Sequence, residues 1–128
     1  MLPAHAGADA YRRLHIETRT PLELIVILYD TALFRIAEAR AAIERNDLPA
    51  RRDAISRAMA IVSELQSTLN LKDGGEIAAS LDSLYSYATA GLIEASMHTS
   101  STSLNDVEKV LKNLRDAWCE ISTQERRP

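Results

Sequence analysis

The sequence predicts an all-α protein, an antiparallel up-down four-helix bundle with a short N-terminal arm or helical cap. The chain has 128 residues, enough for one domain, and only 4 Gly and 4 Pro are available for turns. Its apolar residues, 46% of the chain, are mostly Ala, Leu and Ile, which lose little freedom on entering a helix. Apolar residues also recur at steps of three and four in successive segments, and helices joined by short loops pack most simply as such a bundle.

Residues 1–19 are the first predicted unit, an N-terminal arm. Most of its residues are small or polar, and its apolar anchors are Tyr11, Leu14 and Ile16. Residues 9–13 are long enough to form one helical turn. Because a free arm with a tyrosine and two aliphatic side chains is unfavourable in water, we expect it to pack on another surface.

The first two helices have clear start signals. Thr20-Pro21-Leu22-Glu23 indicates a capping box with Pro at the first helical position, and this helix is expected to run to about Arg45. Asp47 is the candidate N-cap of the second helix, expected over residues 48–70. Its predicted core stripe is Ile55, Met59, Val62, Leu65 or Gln66, and Leu69. Its predicted outer face is Arg51, Arg52, Ser56, Ser63 and Ser67.

A glycine pair and a polar run separate the other two helices. Gly74-Gly75 ends the second helix, and the third is expected over residues 76–97. Its predicted stripe is Ile77, Leu81, Leu84, Tyr85, Ala88, Leu92 and Ala95. The fourth helix starts near Ser103, with a regular seam of Leu104, Val107, Leu111, Leu114, Trp118 and Ile121. The bundle is therefore expected to cover residues 20–121, and residues 122–128 to form a flexible tail.

The opening of the first helix is apolar on every side. Residues 22 and 24–29 are all apolar over nearly two turns, whereas a bundle helix normally buries a stripe of about 100°. One interpretation is that this helix is central, or that the arm covers it. The other is that the surplus forms a groove for a partner helix or an extended peptide. The two are compatible, since an arm bearing Tyr11 and Leu14 would cover the groove until a partner displaces it.

Charge and cysteine content limit the compartment and the partners. The net charge is −3 and the pI about 5.6, which disfavours nucleic acid as a partner. The single cysteine, Cys119, fits a reducing cytosol. The N-terminus lacks the basic and apolar regions of a signal peptide, and no run reaches the length of a membrane span. We therefore expect a cytoplasmic protein with no membrane insertion.

The sequence shows no pattern of a catalytic or metal site. His5, His15 and His98 have no second ligand at metal-binding spacing, apart from the single pair of Glu94 with His98. Cys119 has no nearby histidine to activate it, and no phosphate-binding glycine motif is present. We therefore predict no enzyme activity, no catalytic, metal or cofactor-binding residues and no cofactor.

Five short segments follow one another along the chain in a characteristic order. Tyr11 in the arm precedes them, and two of them lie at the start of the first helix. The segments are Thr20-Pro21-Leu22-Glu23-Leu24, Leu28-Tyr29-Asp30-Thr31-Ala32, residues 64–69, residues 74–78 followed by Leu81, Leu84, Tyr85 and Tyr87, and Leu114-Arg115-Asp116-Ala117-Trp118. Together, over about residues 10–121, they resemble the flagellar secretion chaperones of the FliS type. Thr31 departs from that family, which commonly has glycine there, and its side chain is stiffer and bulkier.

The resemblance implies a cytosolic export chaperone for flagellin. Members of the family bind the C-terminal disordered segment of flagellin, prevent premature polymerisation and deliver the segment to the flagellar type III export apparatus. The export gate and other flagellar regulators are further candidate partners. The family's arm is thought to occupy part of the same surface. The protein is expected to be a monomer or a weak homodimer, and the sequence leaves both open.

We predict a flagellin-binding surface from the arm, the first helix and one residue of the third. Asp30 and Arg115 belong to the family's recurrent motifs, with a structural ion pair or cap as their alternative role, and Trp118 and Leu114 are expected in the core. The predicted binding residues are Tyr11, Leu14, Ile16, Leu24, Ile25, Ile27, Leu28, Tyr29 and Tyr87. The rival functions are an adaptor or regulator for a different helical partner, and an enzyme or metal carrier on the same bundle.

Overall fold

A computed structural model of the chain describes residues 20–98 and 101–125, which contain four helices and no strand. Helix α1 spans Pro21–Glu44, α2 spans Leu48–Ser67, α3 spans Gly75–Met97 and α4 spans Thr102–Glu125. Each helix packs against the next in the chain, and α4 packs back on α1. The predicted all-α up-down four-helix bundle is therefore confirmed.

The predicted helix starts at Thr20 and Asp47 are also confirmed. The Thr20 hydroxyl accepts a hydrogen bond from the backbone N–H of Glu23 at 3.2 Å, and the Asp47 carboxylate accepts one from Ala50 at 3.1 Å. Each bond satisfies a backbone donor that has no partner inside its own helix. Both helices therefore begin where side-chain chemistry favours a start.

The end of α1 is a tight left-handed turn at Asn46, whose φ is 57°. The backbone N–H of Asn46 bonds to the carbonyl of Ile43 at 3.1 Å, and that of Asp47 to the carbonyl of Ala42 at 2.9 Å. This pair of bonds is the Schellman arrangement that commonly closes a helix. The turn places Asp47 directly at the start of α2, so α1 and α2 run antiparallel with a very short connection.

The core consists of one face from each of the four helices. Small and large apolar residues alternate in it, and alanine allows neighbouring helices to approach closely. Its buried members are Tyr29, Ala32, Ile36, Ala39, Ala54, Ile55, Ala58, Val62, Leu65, Tyr85, Ala88, Leu92, Ala95, Leu104, Val107 and Leu111. Leu114 and Trp118 pack against this cluster, as the sequence predicts. Each fully buried large aliphatic side chain contributes roughly 1.5–3 kcal/mol to folding.

Three positions in the predicted helix faces are wrong. Ile121 was expected in the core seam of α4, but it is 45% exposed near the end of that helix. Arg51 was expected on the outer face of α2, but it is buried with 7% exposed. Its guanidinium donates to the carbonyls of Ser96 and His98, each at 3.3 Å, and so caps the end of α3. Ile77 was expected in the core stripe of α3, but it is 76% exposed. Ile77 lies in the first turn of α3. Helix α2 ends at Ser67, so it does not extend far enough to cover Ile77.

Two predicted helix ends also differ from the structure. Helix α2 ends at Ser67, three residues before the predicted end at residue 70. Helix α4 continues to Glu125, beyond the predicted boundary at residue 121, and Ser122 is buried with 7% exposed. Residues 122–125 are therefore part of the helix rather than of a tail.

Helices α3 and α4 are in close contact at Gly91. A Cβ atom built on Gly91 would lie 2.5 Å from Cγ2 of Val107 and 3.7 Å from the carbonyl oxygen of Ser103. Val107 is fully buried, and its β-branched side chain has little rotamer freedom in a helix. The spacing of α3 and α4 at this point therefore depends on the absence of a side chain at Gly91.

Gly91→Ala is expected to lower the free energy of unfolding by about 1–2 kcal/mol. Overpacking at this contact costs about 1–3 kcal/mol, whereas the higher helix propensity of alanine stabilises by at most about 1 kcal/mol. In a Val107→Ala background the clash is absent, and the same substitution should stabilise. Urea unfolding followed by circular dichroism measures both effects. A Gly91→Ala variant that is stabilised in both backgrounds would contradict the proposed close contact.

Candidate partner-binding surface

The apolar run that opens α1 is only partly covered. Its five consecutive aliphatic side chains are all half-buried: none is buried as the core residues are, and none is fully exposed. They are Leu24, Ile25, Val26, Ile27 and Leu28. Ile25 and Leu28 pack against the core. Each of the five therefore keeps some apolar surface that a bound segment would cover.

A cleft of about 260 Å³ lies between the start of α1 and the end of α4. We call it the α1–α4 cleft. Val26 and Ile27 supply its aliphatic wall, and the other lining residues are Glu23, Asp30, Arg115, Cys119, Ser122 and Thr123. Ile27 is the only predicted binding residue among these lining residues. The cleft therefore combines an apolar wall from α1 with a more polar wall from α4.

An ion pair between Asp30 and Arg115 joins the two walls of this cleft. The Arg115 guanidinium donates to both carboxylate oxygens of Asp30, through Nε at 2.7 Å and Nη2 at 3.5 Å. The hydrogen bond to Asp30 and its negative charge raise the pKa of Arg115. Because the two side chains are 49% and 32% exposed, the pair contributes at most about 1 kcal/mol to stability. The charge of Asp30 is thus largely compensated from within the protein.

Tyr29 lies in the core and not on the cleft, so its predicted place in an outward-facing groove is wrong. It is 0% exposed, and its hydroxyl shares a 2.5 Å hydrogen bond with the hydroxyl of Tyr85, which is 2% exposed. The two ring centroids are 6.5 Å apart. The bond joins α1 to α3, which face each other across the bundle. Tyr29 therefore holds α1 in place instead of offering a contact surface.

Burial controls the acidity of this tyrosine pair. Desolvation, followed by the hydrogen bond and the charge of Tyr85, raises the pKa of Tyr29 well above its ordinary value of 10.0, and the Trp118 side chain opposes the shift. Desolvation likewise raises the pKa of Tyr85, partly offset by its bond to Tyr29. Both hydroxyls are therefore neutral in the folded protein.

Tyr87 is on a different surface from Ile27. It is 51% exposed on α3 and lines a second cleft, of about 220 Å³, between α3 and α4. We call this the α3–α4 cleft; its other lining residues are Ala90, Gly91, Glu94, Ser103, Asp106 and Val107. Ile27 and Tyr87 therefore lie in separate clefts, and α4 contributes a wall to each of them. The predicted arm residues Tyr11, Leu14 and Ile16 lie outside the described residues.

Thr31 is accommodated without an unpaired polar group. Its hydroxyl donates to the carbonyl of Ile27, four residues earlier, at 2.8 Å. Bonds of this kind are common for threonine inside helices and can bend them slightly. Thr31, at the position where the resemblance predicts glycine, therefore satisfies its hydroxyl within α1 itself.

Two parts of the surface were not predicted from the sequence. Phe34 is 59% exposed, with Cζ of Arg35 5.6 Å from its ring centroid. It lies seven residues after Ile27 and so on the same face of α1, a spacing that was available from the sequence. Ser122 and Thr123 line the α1–α4 cleft. They were missed because residues 122–128 were assigned to a flexible tail.

The described part of the chain has neither a metal-binding cluster nor a membrane-spanning helix. Across residues 20–98 and 101–125, no group of three or more His, Cys, Asp or Glu side chains could hold a metal ion. The pair of His98 and Glu94 is exposed, with 3.6 Å between the imidazole nitrogen and the carboxylate oxygen. None of the four described helices is both long and apolar enough to cross a membrane.

Comparison with known proteins gives a consistent set of relatives. Residues 4–125 match the family described as flagellar protein FliS. The chain is 33% identical over 122 residues to the flagellar secretion chaperone FliS of Salmonella typhimurium, an alignment that covers 91% of this chain and 90% of the relative. It is 34% identical over 116 residues to FliSB of Pseudomonas aeruginosa, covering 88% and 92%. The FliS of Bacillus subtilis is 33% identical over 118 residues, covering 92% and 87%.

The buried tyrosines predict a loss of stability at high pH. The unfolded chain ionises its tyrosines near the ordinary pKa of 10.0, whereas the folded chain does not, so stabilisation present below that pKa is lost as the pH rises. Tyr29 alone should account for about 1.4 kcal/mol between about pH 8 and about pH 11. Urea unfolding measures the free energy of unfolding at both pH values. Its decrease with pH should be smaller in the double variant Tyr29→Phe/Tyr85→Phe than in the unsubstituted protein. An equal loss in that double variant would contradict the assignment.

Proposed function

Because the chain belongs to the FliS family of flagellar proteins, we propose that it is a cytoplasmic export chaperone whose client is flagellin. It binds the C-terminal disordered segment of flagellin, prevents premature polymerisation and delivers the segment to the flagellar type III export apparatus. The single observation that best supports flagellin binding is the half-buried aliphatic run at residues 24–28. No reaction is involved, since the role consists of binding and release.

Holding such a client requires apolar surface rather than reactive groups. A segment that is disordered alone gains order only when it buries enough apolar area to offset its lost conformational entropy. Covering one half-exposed aliphatic side chain contributes roughly 1 kcal/mol, so several must act together. The aliphatic run of α1, with Phe34 further along the same helix as Ile27, supplies them in one place.

The geometry of the bundle suits a client that must later be threaded through a channel. The scaffold is held by its own core, so the client can order against it without forming a stable fold of its own. Covering the client's apolar stretches also blocks their pairing with other flagellin molecules. The client leaves as an unfolded chain once those contacts are replaced at the export gate, which we include among the partners along with other flagellar regulators.

The N-terminal arm is proposed to share this surface. Tyr11, Leu14 and Ile16 are apolar anchors on an otherwise small and polar segment. They compete with the client for the α1 surface or join its contacts. Leu24, Ile25 and Leu28 contribute to the same surface through the parts of their side chains that the core leaves uncovered.

Ile27→Asp is expected to weaken binding of a synthetic flagellin C-terminal segment by at least about tenfold, because it places a charge on the aliphatic wall of the α1–α4 cleft. Isothermal titration calorimetry measures the affinity, and circular dichroism checks that helicity is retained. Ala60→Asp is the matched control, since Ala60 is exposed on α2 and lines neither cleft. It should leave the affinity unchanged.

Equal weakening by both variants would show that the effect comes from net charge and would remove Ile27 from the site. If the unsubstituted protein fails to bind the segment at all, flagellin is not the client. A pull-down that returns another stoichiometric partner would then favour the adaptor function.

A further inference from the structure

The α3–α4 cleft has an apolar floor that continues along both helices. Gly91 and Val107 form the floor, and Tyr87 stands beside them with about half of its surface exposed. Leu84 lies seven residues before Gly91 on the same face of α3, and Val110 lies three residues after Val107 on α4. Both are half-buried. Leu84 and Gly91 on α3, with Val107 and Val110 on α4, therefore form an uncharged strip of about two turns.

The rim of this cleft is acidic, and its charges are not compensated within the described residues. Glu94 and Asp106 lie on opposite walls. The described group that pairs with Glu94 is the His98 imidazole at 3.6 Å, which neutralises the carboxylate only when protonated. Asp106 forms no ion pair with any residue in the described ranges 20–98 and 101–125. In the α1–α4 cleft, by contrast, Asp30 is paired with Arg115.

The two clefts therefore favour ligands of different charge. The α1–α4 cleft suits an uncharged apolar ligand, because Val26 and Ile27 form an aliphatic wall and the neighbouring Asp30 is already paired. The uncompensated acids of the α3–α4 cleft favour a ligand that carries positive charge next to its apolar residues, since complementary charge steers binding and fixes its register. The groove between two packed helices also accepts the ridge of side chains from a third helix.

We propose that the α3–α4 cleft binds a basic amphipathic helix of a second protein, and that it does so while the α1 surface remains free for the client. An aliphatic side chain of that helix covers Gly91 beside Tyr87, and lysine or arginine side chains next to it meet Glu94 and Asp106. The residues from Leu84 to Glu94 extend about 15 Å along α3 at the usual helical rise, which matches a partner helix of about three turns. This inference goes beyond the client-binding role, and it assigns Tyr87, which the sequence predicts as a flagellin-binding residue, to the second partner instead.

The test uses the full chain and two fluorescein-labelled synthetic helical peptides of equal length. Both carry leucine at positions i, i+3, i+4 and i+7; one has lysine and the other glutamate at the flanking positions. In fluorescence anisotropy the lysine peptide should bind at least about tenfold more tightly than its glutamate twin. Glu94→Gln/Asp106→Asn should weaken the lysine peptide by about tenfold. The control Glu44→Gln/Glu64→Gln, which also removes two exposed acids but on α1 and α2, should not.

A second titration tests whether the two sites are independent. A saturating flagellin C-terminal segment should leave the lysine peptide bound, whereas its release would overturn the separate site. Equal binding of the twin peptides, or equal weakening by both double variants, would overturn the proposal outright. Because this assay needs no flagellin in its first part, failure of the proposed client does not affect its outcome.

Discussion

The structure depends on the limited part of a helix surface that a four-helix bundle can bury. A bundle helix buries a stripe of about 100°, yet the start of α1 carries aliphatic residues around more of its circumference than that. The core takes one side of this run, including Tyr29, and leaves Leu24, Ile25, Val26, Ile27 and Leu28 half-covered. The proposed chaperone function is the use of this remaining surface. In that proposal a client segment covers the remaining surface, which links the composition of one helix to the role of the protein.

The rest of the bundle keeps that surface in a fixed position. The hydrogen bond between Tyr29 and Tyr85 ties α1 to the opposite helix, and the ion pair of Asp30 with Arg115 ties it to α4. The first is buried and therefore sensitive to the loss of either partner, because an unpaired hydroxyl would remain in an apolar core. The second is exposed and weak, and its main effect is to orient the walls of the α1–α4 cleft. A rigid scaffold of this kind can order a disordered client without rearranging itself.

The helix starts could be predicted from neighbouring residues. Which side chains face the core could not, because this depends on how the helices pack. Thr20 and Asp47 indicate helix starts because each accepts a hydrogen bond from a backbone N–H within the next four residues. Arg51 could not be placed correctly, since its burial depends on carbonyls at the distant end of α3. Ile77 follows the periodicity of its helix but has no facing helix at the bundle end. For Tyr29, a run that is apolar on every side gives no periodicity from which its direction could be read.

Methyl NMR on isoleucine-labelled protein tests the central claim most directly, because isoleucines lie in the α1–α4 cleft, in the core and on the exposed side of α3. Ile27 lines the α1–α4 cleft, Ile36 lies in the core, and Ile77 and Ile93 are exposed on α3. On addition of the flagellin C-terminal segment we expect the largest shift change at the Ile27 methyl, and little change at Ile36. Shift changes at Ile77 or Ile93 with an unchanged Ile27 signal would contradict the assignment of the client surface to α1.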